Sequence, residues 1–114
     1  MDQMEPRLFF ETGKTGWEDL GGGVSRQIMG YDDRIMLVKV RFEKGAEGAA
    51  HKHPHVQNSY VAEGVFEVKI GEQTERLQSG DSFLVPPDAV HGVRCIEAGV
   101  LIDVFSPVRQ DFIK

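Results

Sequence analysis

The sequence of 114 residues contains a single cysteine, Cys95, and therefore cannot form an internal disulfide. A lone cysteine favours a reducing compartment, because proteins of oxidising compartments commonly use disulfides. No apolar run approaches the roughly 18–20 residues that a membrane-spanning helix needs. The N-terminal segment is acidic, includes Pro6 and lacks a basic stretch followed by an apolar one, which argues against a secretory signal peptide. We expect a cytoplasmic protein.

An excess of positive charge is also missing. Lys and Arg number 13 against 18 Asp and Glu, which gives a net charge of -5. Nucleic acids and acidic membrane surfaces would both repel such a protein, so we expect neither as a partner. Hydrophobic residues make up 40% and charged residues 27% of the chain, as in an ordinary globular protein. The length fits one domain spanning residues 1–114.

The sequence shows no convincing helical periodicity, whereas strand patterns are frequent. Short stretches rich in β-branched and aromatic residues predict strands at 35–42, 59–70, 74–78, 82–85, 90–96 and 100–106. Residues 59–70 are expected to form two strands bent at Glu63-Gly64, and Glu97-Ala98-Gly99 to separate the last two strands. Residues 15–20 can form at most one helical turn before Gly21-Gly22-Gly23 stops it. The pattern predicts an all-β sandwich or barrel.

Three histidines have the spacing of metal ligands. His51 and His53 are two residues apart, so on an extended strand both side chains project from one face. Gln57 follows at another even offset, and His91 comes from a distant segment that the folded sheet can bring close. Imidazole is the commonest metal ligand, and the amide oxygen of Gln57 is a neutral donor. The simpler alternative is a polar surface loop with one partly buried histidine.

Three other polar residues are weaker candidates for a site. His55 also has an even offset, but it follows Pro54, where the strand is expected to bend, so it is a poorer ligand candidate. Lys39 and Arg41 share one face of a predicted strand and could line a pocket for an anion. A solvated sheet face explains these two cations equally well.

A carboxylate interrupts the apolar C-terminal strand. Alternation places Leu101, Asp103 and Phe105 on one face of that strand. Burying a carboxylate is costly unless it is paired, and a buried carboxylate often marks a working site. Arg109 follows after the turn at Pro107. The alternative is that Asp103 and Arg109 form a structural ion pair.

These residues resemble the two motifs of the cupin superfamily. The first motif corresponds to Gly45, His51, His53, Gln57 and Gly64, and the second to Gly80, Pro86, Asp88 and His91. Gln57 stands where glutamate is usual, Asp88 where glycine is usual and Cys95 where asparagine is usual. The resemblance implies a jelly-roll-type β-barrel with its core at about 24–106, an N-terminal arm at 1–23 and a C-terminal tail at 107–114. It also implies a metal near the middle of the barrel.

A finer resemblance joins the chain to the small cupins of pectin and alginate breakdown. It rests on the segments FEKGAEGAAHKHPHVQ, GDSFLVPPDAVHGV and EAGVLIDVFSPVRQDF. Those proteins convert cyclic 4,5-unsaturated monouronates to linear 5-keto-4-deoxyuronates. The resemblance implies one divalent transition metal (Ni, Zn, Mn, Fe or Co) held by His51, His53, Gln57 and His91. It also implies that Asp103, Phe105 and Arg109 act on a small anionic sugar.

Two other functions stay open at this point. One is a different cupin enzyme, such as a small-molecule dioxygenase, which would need iron and oxygen and would leave Asp103 without a role. The other is a small-ligand-binding cupin without chemistry. A homodimer is the expected assembly, because exposed barrel edges invite pairing and two-fold homodimers are the commonest assemblies.

Overall fold

Eight antiparallel strands form the fold, and the computed structural model describes residues 7–113. The strands are β1 (Glu18–Gly21), β2 (Val24–Asp32), β3 (Ile35–Phe42), β4 (Glu47–His51), β5 (Val56–Ile70), β6 (Gln73–Gln78), β7 (Ser82–Val85) and β8 (His91–Ser106). A short 3-10 turn (Thr12–Lys14) precedes them, and a single helical turn, α1 (Gln110–Ile113), follows them. Within residues 7–113 neither of these two helical segments is long and apolar enough to span a bilayer. The prediction of an all-β fold is confirmed.

The two longest strands, β5 and β8, organise the sheet. The main path of paired strands runs β1-β2-β3-β8-β5-β6, and β4 and β7 join it from the side. β8 pairs with β5 along most of its length, with β4 through its first half and with β3 through its second half. Each long strand therefore crosses from one set of neighbours to another, and this bends the sheet around a common interior.

Most of the predicted strands match the structure, and the exceptions have a local cause. β3 and β7 have the predicted bounds, but β8 runs without a break through Glu97-Ala98-Gly99. The separation predicted there was wrong, because Gly99 does not form a turn. A Cβ on Gly99 would collide with the backbone of Glu63 on β5, so the glycine permits close contact between two strands.

The glycines at 21–23 also have a different role from the one predicted. All three have positive φ angles, of 83°, 62° and 84°, and they form the turn between β1 and β2. Residues 18–21 are thus a strand, and the prediction of one helical turn within 15–20 was wrong. Glycine adopts these left-handed conformations without steric cost, so a glycine triplet ends a strand as readily as a helix.

A bulge in β5 changes which residues face the interior. Before the bulge the buried residues are Gln57, Ser59 and Val61, and after it they are Phe66 and Val68. The register with β8 shifts three times between Val61 and Phe66. Gly64, with a φ of 88°, lies inside this stretch, where a Cβ would come within 2.6 Å of two backbone carbonyl oxygens. The predicted bend at Glu63-Gly64 is therefore an irregularity within one strand rather than a boundary between two.

Two apolar clusters fill the interior and flank the polar residues. The larger contains Phe42, Ala46, Val61, Phe66, Val68, Phe83, Val85, Cys95 and Leu101. The smaller contains Met36, Val38, Phe105 and Val108, with Phe112 packed against it. Cys95 is buried, and burial raises the pKa of its thiol, so this cysteine is a packed core residue rather than a reactive one.

Candidate metal centre and active site

Three histidines meet where β4 ends and β8 begins. His51 is the last residue of β4 and pairs with His91, the first residue of β8. One nitrogen from each of His51, His53 and His91 lies within 4.8 Å of the others. His53 and His91 are buried, whereas His51 is exposed, so the cluster opens to solvent on one side. Such a group can hold one divalent ion and leave a position for a substrate.

The hydrogen bonds of two histidines select the tautomer that binds metal. The Nδ1 atoms of His51, His53 and His91 lie 2.8, 3.1 and 2.9 Å from backbone carbonyl oxygens two residues away. A carbonyl only accepts, so the Nδ1 atoms of His51 and His91 carry the proton and their Nε2 atoms keep a free lone pair. His53 has an acceptor beside both ring nitrogens, because Gln57 Oε1 lies 3.0 Å from its Nε2, so its hydrogen bonds do not select one tautomer. His91 Nε2 is buried without a hydrogen-bond partner, as expected of an atom that binds a metal ion.

The environment also favours neutral imidazole. Burial lowers the pKa of His53 and His91, and the positive charge of Arg109 acts in the same direction. Neutral imidazole is the form that coordinates metal ions, so the two buried rings need not lose a proton on binding at neutral pH. The donor chemistry and the unpartnered Nε2 atom of His91 together fit a divalent transition metal.

Gln57 lies beside the histidines, although not for the reason that the spacing suggested. β4 ends at His51, His53 is in the following loop, and Gln57 is on β5. The assumption of one continuous strand from 51 to 57 was wrong. The loop turns the chain back, so that Gln57 Oε1 lies 3.0 Å from His53 Nε2. The amide nitrogen donates to Ser59 Oγ at 2.9 Å, which leaves the oxygen facing the histidines.

Asp88 supports the loop that carries His53. Its backbone N–H donates to the carbonyl of His53 at 2.8 Å. Asp88 has a φ of 65°, a left-handed conformation that glycine adopts most easily and that aspartate tolerates better than most residues. This geometry explains why the cupin motif usually has glycine at the position of Asp88.

His55 is near the cluster but does not belong to it. The three-histidine group excludes it, and its ring centroid is 5.4 Å from that of His53. Its backbone carbonyl lies 3.1 Å from His53 Nδ1, where it can accept a hydrogen bond. His55 thus contributes to the site through its main chain.

Asp103 is buried near the C-terminal end of β8, opposite Ser59 on β5. Ser59 Oγ donates to Asp103 Oδ1 at 2.6 Å. Burial raises the pKa of Asp103 from 3.8 to about 6, although the Ser59 hydrogen bond and the charge of Arg109 both oppose the rise. A carboxyl group with a pKa near 6 can accept and return a proton at physiological pH. The sequence analysis identified Asp103 but missed Ser59, whose position follows only from the strand register.

Arg109 is paired with Asp111 rather than with Asp103. Its Nε and one Nη lie 3.1 and 2.9 Å from the two Asp111 oxygens. The guanidinium carbon lies 5.1 Å from the ring centre of Phe105 and 4.3 Å from that of Phe112. The alternative of a structural ion pair between Asp103 and Arg109 was therefore wrong. Asp111 and Phe112 were both missed, since neither the four-residue helix nor its direction was predictable.

Comparison with known proteins decides the family. A family model described as a cupin domain matches residues 38–105. The chain belongs to the cupin family. It is 46% identical over 109 residues to the pectin degradation protein KdgF of Dickeya dadantii, with 94% of this chain and 99% of that protein covered.

Two solved cupin structures share both the fold and much of the sequence. An RmlC-like cupin from Shewanella frigidimarina is 47% identical with a TM-score of 0.91, covering 96% of this chain and 100% of that chain. KdgF from a Halomonas species is 37% identical with a TM-score of 0.90, covering 94% and 99%. The likeness extends over the whole barrel, including the strands that carry the site.

The cupin barrel encloses a small cavity at the site. Its volume is about 170 Å³, and its lining includes His51, Gln57, His91, Asp103, Phe105 and Arg109. The volume is below the roughly 300–1,000 Å³ of pockets for drug-sized ligands. The lining combines polar side chains with the aromatic rings of Phe105 and Phe112.

Lys39 and Arg41 lie on the other face of this cupin sheet. Met36, Val38 and Phe42 of β3 point inward, so alternation turns Lys39 and Arg41 outward. There they line a larger cavity of about 550 Å³ with Trp17, and Arg41 stacks 3.8 Å above the indole ring. This cavity contains neither a histidine nor Asp103, so the two cations do not contribute to the candidate active site.

Proposed function

We propose that this cupin converts cyclic 4,5-unsaturated monouronates to linear 5-keto-4-deoxyuronates in a metal-dependent ring opening. The observation that carries the proposal is one small cavity lined by two members of the three-histidine cluster, His51 and His91, together with a buried carboxyl group and a guanidinium group. A uronate needs these three functions, because its oxygens bind a metal, its ring opening moves a proton and its carboxylate requires a cation. The similarity to a pectin degradation protein supports this substrate class.

We assign His51, His53, Gln57 and His91 as the metal ligands. All four are neutral donors: the ligand atoms of the three histidines lie within 4.8 Å of one another, and Gln57 Oε1 lies 3.0 Å from His53 Nε2. A divalent ion bound there would act as a Lewis acid toward the substrate oxygens. The set suits Ni, Zn, Mn, Fe or Co, because imidazole and amide ligands do not select strongly among them.

Asp103 is the proposed proton carrier. In the reaction the anomeric hydroxyl gives up its proton as the bond between C1 and the ring oxygen breaks, which leaves an aldehyde at C1 and an enolate at C4–C5, and this enolate gains the proton at C4 to become the ketone. One proton thus moves from oxygen to carbon, and no oxidant or reductant is needed. Asp103 Oδ1 accepts a hydrogen bond from the Ser59 hydroxyl, so Oδ2 is the oxygen that takes up and returns the substrate proton.

Arg109 and Phe105 are the proposed substrate-binding residues. Asp111 occupies Nε and one Nη of Arg109 and leaves the N–H groups that point away from it for the uronate carboxylate. Phe105 and Phe112 flank the guanidinium and hold its plane. Phe105 lines the cavity, where it packs against the sugar and excludes water.

The test is direct. An unsaturated monouronate prepared from pectin is mixed with metal-loaded protein, and the loss of ultraviolet absorbance of the conjugated alkene is followed. We expect a rate well above that of the spontaneous reaction, and an equal rate in Asp33→Asn, which alters an exposed aspartate in the β2–β3 turn. No acceleration by wild-type protein would sink the proposal.

We also propose a cytoplasmic homodimer that prefers pectin-derived over alginate-derived substrate. The sheet path ends at β1 and β6, whose outer edges are available for pairing. The single cysteine, Cys95, fits a reducing compartment, and the named pectin relative favours pectin. Light scattering measures the mass in solution, and the two substrates compared side by side give the preference.

A further inference from the structure

We propose that Ser59 is a positioning residue whose single hydroxyl fixes the orientation of both Gln57 and Asp103. It links the metal centre to the proton carrier, two groups that share no direct hydrogen bond among the described residues. The inference rests on the proposed function for the roles of these two groups. Its physical basis is the chain Gln57 Nε2 to Ser59 Oγ to Asp103 Oδ1, with distances of 2.9 and 2.6 Å.

The fold explains how one hydroxyl reaches both partners. Gln57 and Ser59 are two residues apart on β5 and therefore project from the same face. Asp103 is the direct cross-strand partner of Ser59 on β8. Ser59 is 1% exposed, so water does not compete for its hydroxyl.

The direction of the chain follows from what each group can do. An ionised carboxylate only accepts, so Ser59 uses its one proton toward Asp103 and has only lone pairs left. Gln57 can donate a hydrogen bond to those lone pairs only through its NH₂ group. The amide must then turn its oxygen toward His53, which is the orientation that a metal ligand requires. The ionisation of Asp103 thus dictates which atom of Gln57 faces the histidines.

The same chain assigns the two oxygens of Asp103 different tasks. Oδ1 is held by Ser59, and the hydrogen bonds among residues 7–113 leave Oδ2 without a partner. A proton taken from the substrate therefore binds Oδ2. Ser59 does not itself touch the reacting atoms in this scheme, and its effect passes through its two neighbours.

Two measurements without substrate test the role. In metal-free protein, the carbon-13 carboxyl shift of Asp103 is followed against pH. In a second experiment, Zn²⁺ affinity is measured by competition with a coloured chelator. Loss of the hydroxyl in Ser59→Ala removes a hydrogen bond to the ionised carboxylate of Asp103. The pH midpoint of the Asp103 titration should therefore rise by about one pH unit or more. Zn²⁺ binding should weaken by about ten-fold, because Gln57 is no longer oriented.

Two matched variants complete the design. Ser59→Thr keeps the hydroxyl and should keep both values close to those of wild type. Ser79→Ala removes an exposed serine hydroxyl that donates to the Ala62 carbonyl, and it should change neither value. Because neither readout involves substrate, a failure of the proposed isomerase reaction leaves this test intact.

The proposal is overturned if folded Ser59→Ala shifts neither value, since Ser59 would then have only a packing role. A shift in only one of the two values also overturns it, because the hydroxyl would then act on one group and link nothing. If Ser59→Ala does not fold, Ser59→Thr tests the role instead. A shift of the Asp103 titration midpoint in Ser59→Thr, which retains the hydroxyl, would contradict the assigned role.

Discussion

The guanidinium group of Arg109 is held by both carboxylate oxygens of Asp111, two residues further along the chain. The pair sits at the start of the C-terminal helical turn, where Arg109 is mostly buried and Asp111 is half exposed. Bidentate geometry fixes the plane of the guanidinium group as well as its position. Asp111 thus sets the direction in which Arg109 presents its remaining N–H groups.

Removal of Asp111 is expected to affect substrate binding. In Asp111→Asn one of the two charged contacts to Arg109 is lost, so the guanidinium can rotate away from the substrate carboxylate. We expect KM to rise about ten-fold with a smaller change in kcat, because a positioned charge contributes mainly to binding. Steady-state kinetics measures both constants. An unchanged KM would show that Arg109 keeps its orientation without Asp111.

Asp88 provides a prediction about stability. Asp88→Gly relieves the left-handed conformation and should leave the free energy of unfolding within about 1 kcal/mol of wild type. Asp88→Val places a β-branched residue at the same φ and should cost about 1–3 kcal/mol. Urea unfolding of the metal-free protein measures both values. Equal stability of the two variants would contradict the left-handed geometry at this position.

The raised pKa of Asp103 predicts a pH-dependent cost of folding. The pKa of Asp103 is higher in the folded than in the unfolded protein, so the protonated carboxyl group is the form that favours folding. Its contribution to stability is complete below pH 3.8 and is lost as pH rises through about 6. In the metal-free protein the full cost of about 3 kcal/mol applies above pH 6. Asp103→Asn lacks this charge, so its stability relative to wild type should increase from pH 4 to pH 7. Denaturant unfolding at the two pH values gives the difference, and a constant difference would contradict the shifted pKa.

Gln57→Glu tests the neutral ligand set. A carboxylate adds a negative charge beside the histidines, so divalent metal affinity should rise by about ten-fold. The new side chain cannot donate to Ser59 and brings a second negative charge toward Asp103, so turnover should fall. Chelator competition and kinetics measure the two effects. Tighter metal binding with full activity would show that the neutral amide has no catalytic purpose.

Much of the site was predictable from the sequence because it depends on residue type. The clustered histidines and the carboxylate in an apolar strand are chemically conspicuous, and the structure brings His51, His91 and Asp103 to one cavity. Ser59 was not predictable, because a serine in a strand is unremarkable until the register places it opposite Asp103. Asp111 was missed for a similar reason, since a surface acidic residue gains meaning only from the helical turn that points it at Arg109.

The fold, like the site, was predictable from the sequence only in part. The strand patterns predicted β3, β6 and β7 closely but gave no strand at β1, β2 or β4, and glycine was interpreted as a turn at Gly99, where it permits close contact with Glu63. Both uses of glycine need a missing side chain, and the local sequence does not distinguish them. Likewise, the even spacing of His53 and Gln57 suggested one strand, although a loop followed by a new strand produces their proximity.

The central claim is that Asp103 carries the proton during ring opening at the metal centre. The most direct measurement compares turnover of an unsaturated monouronate by wild-type protein and Asp103→Asn, with metal content determined for both. We expect Asp103→Asn to retain the wild-type metal content and to lose at least about a hundred-fold in kcat. Turnover of Asp103→Asn at the wild-type rate, with the same metal content, would contradict the claim.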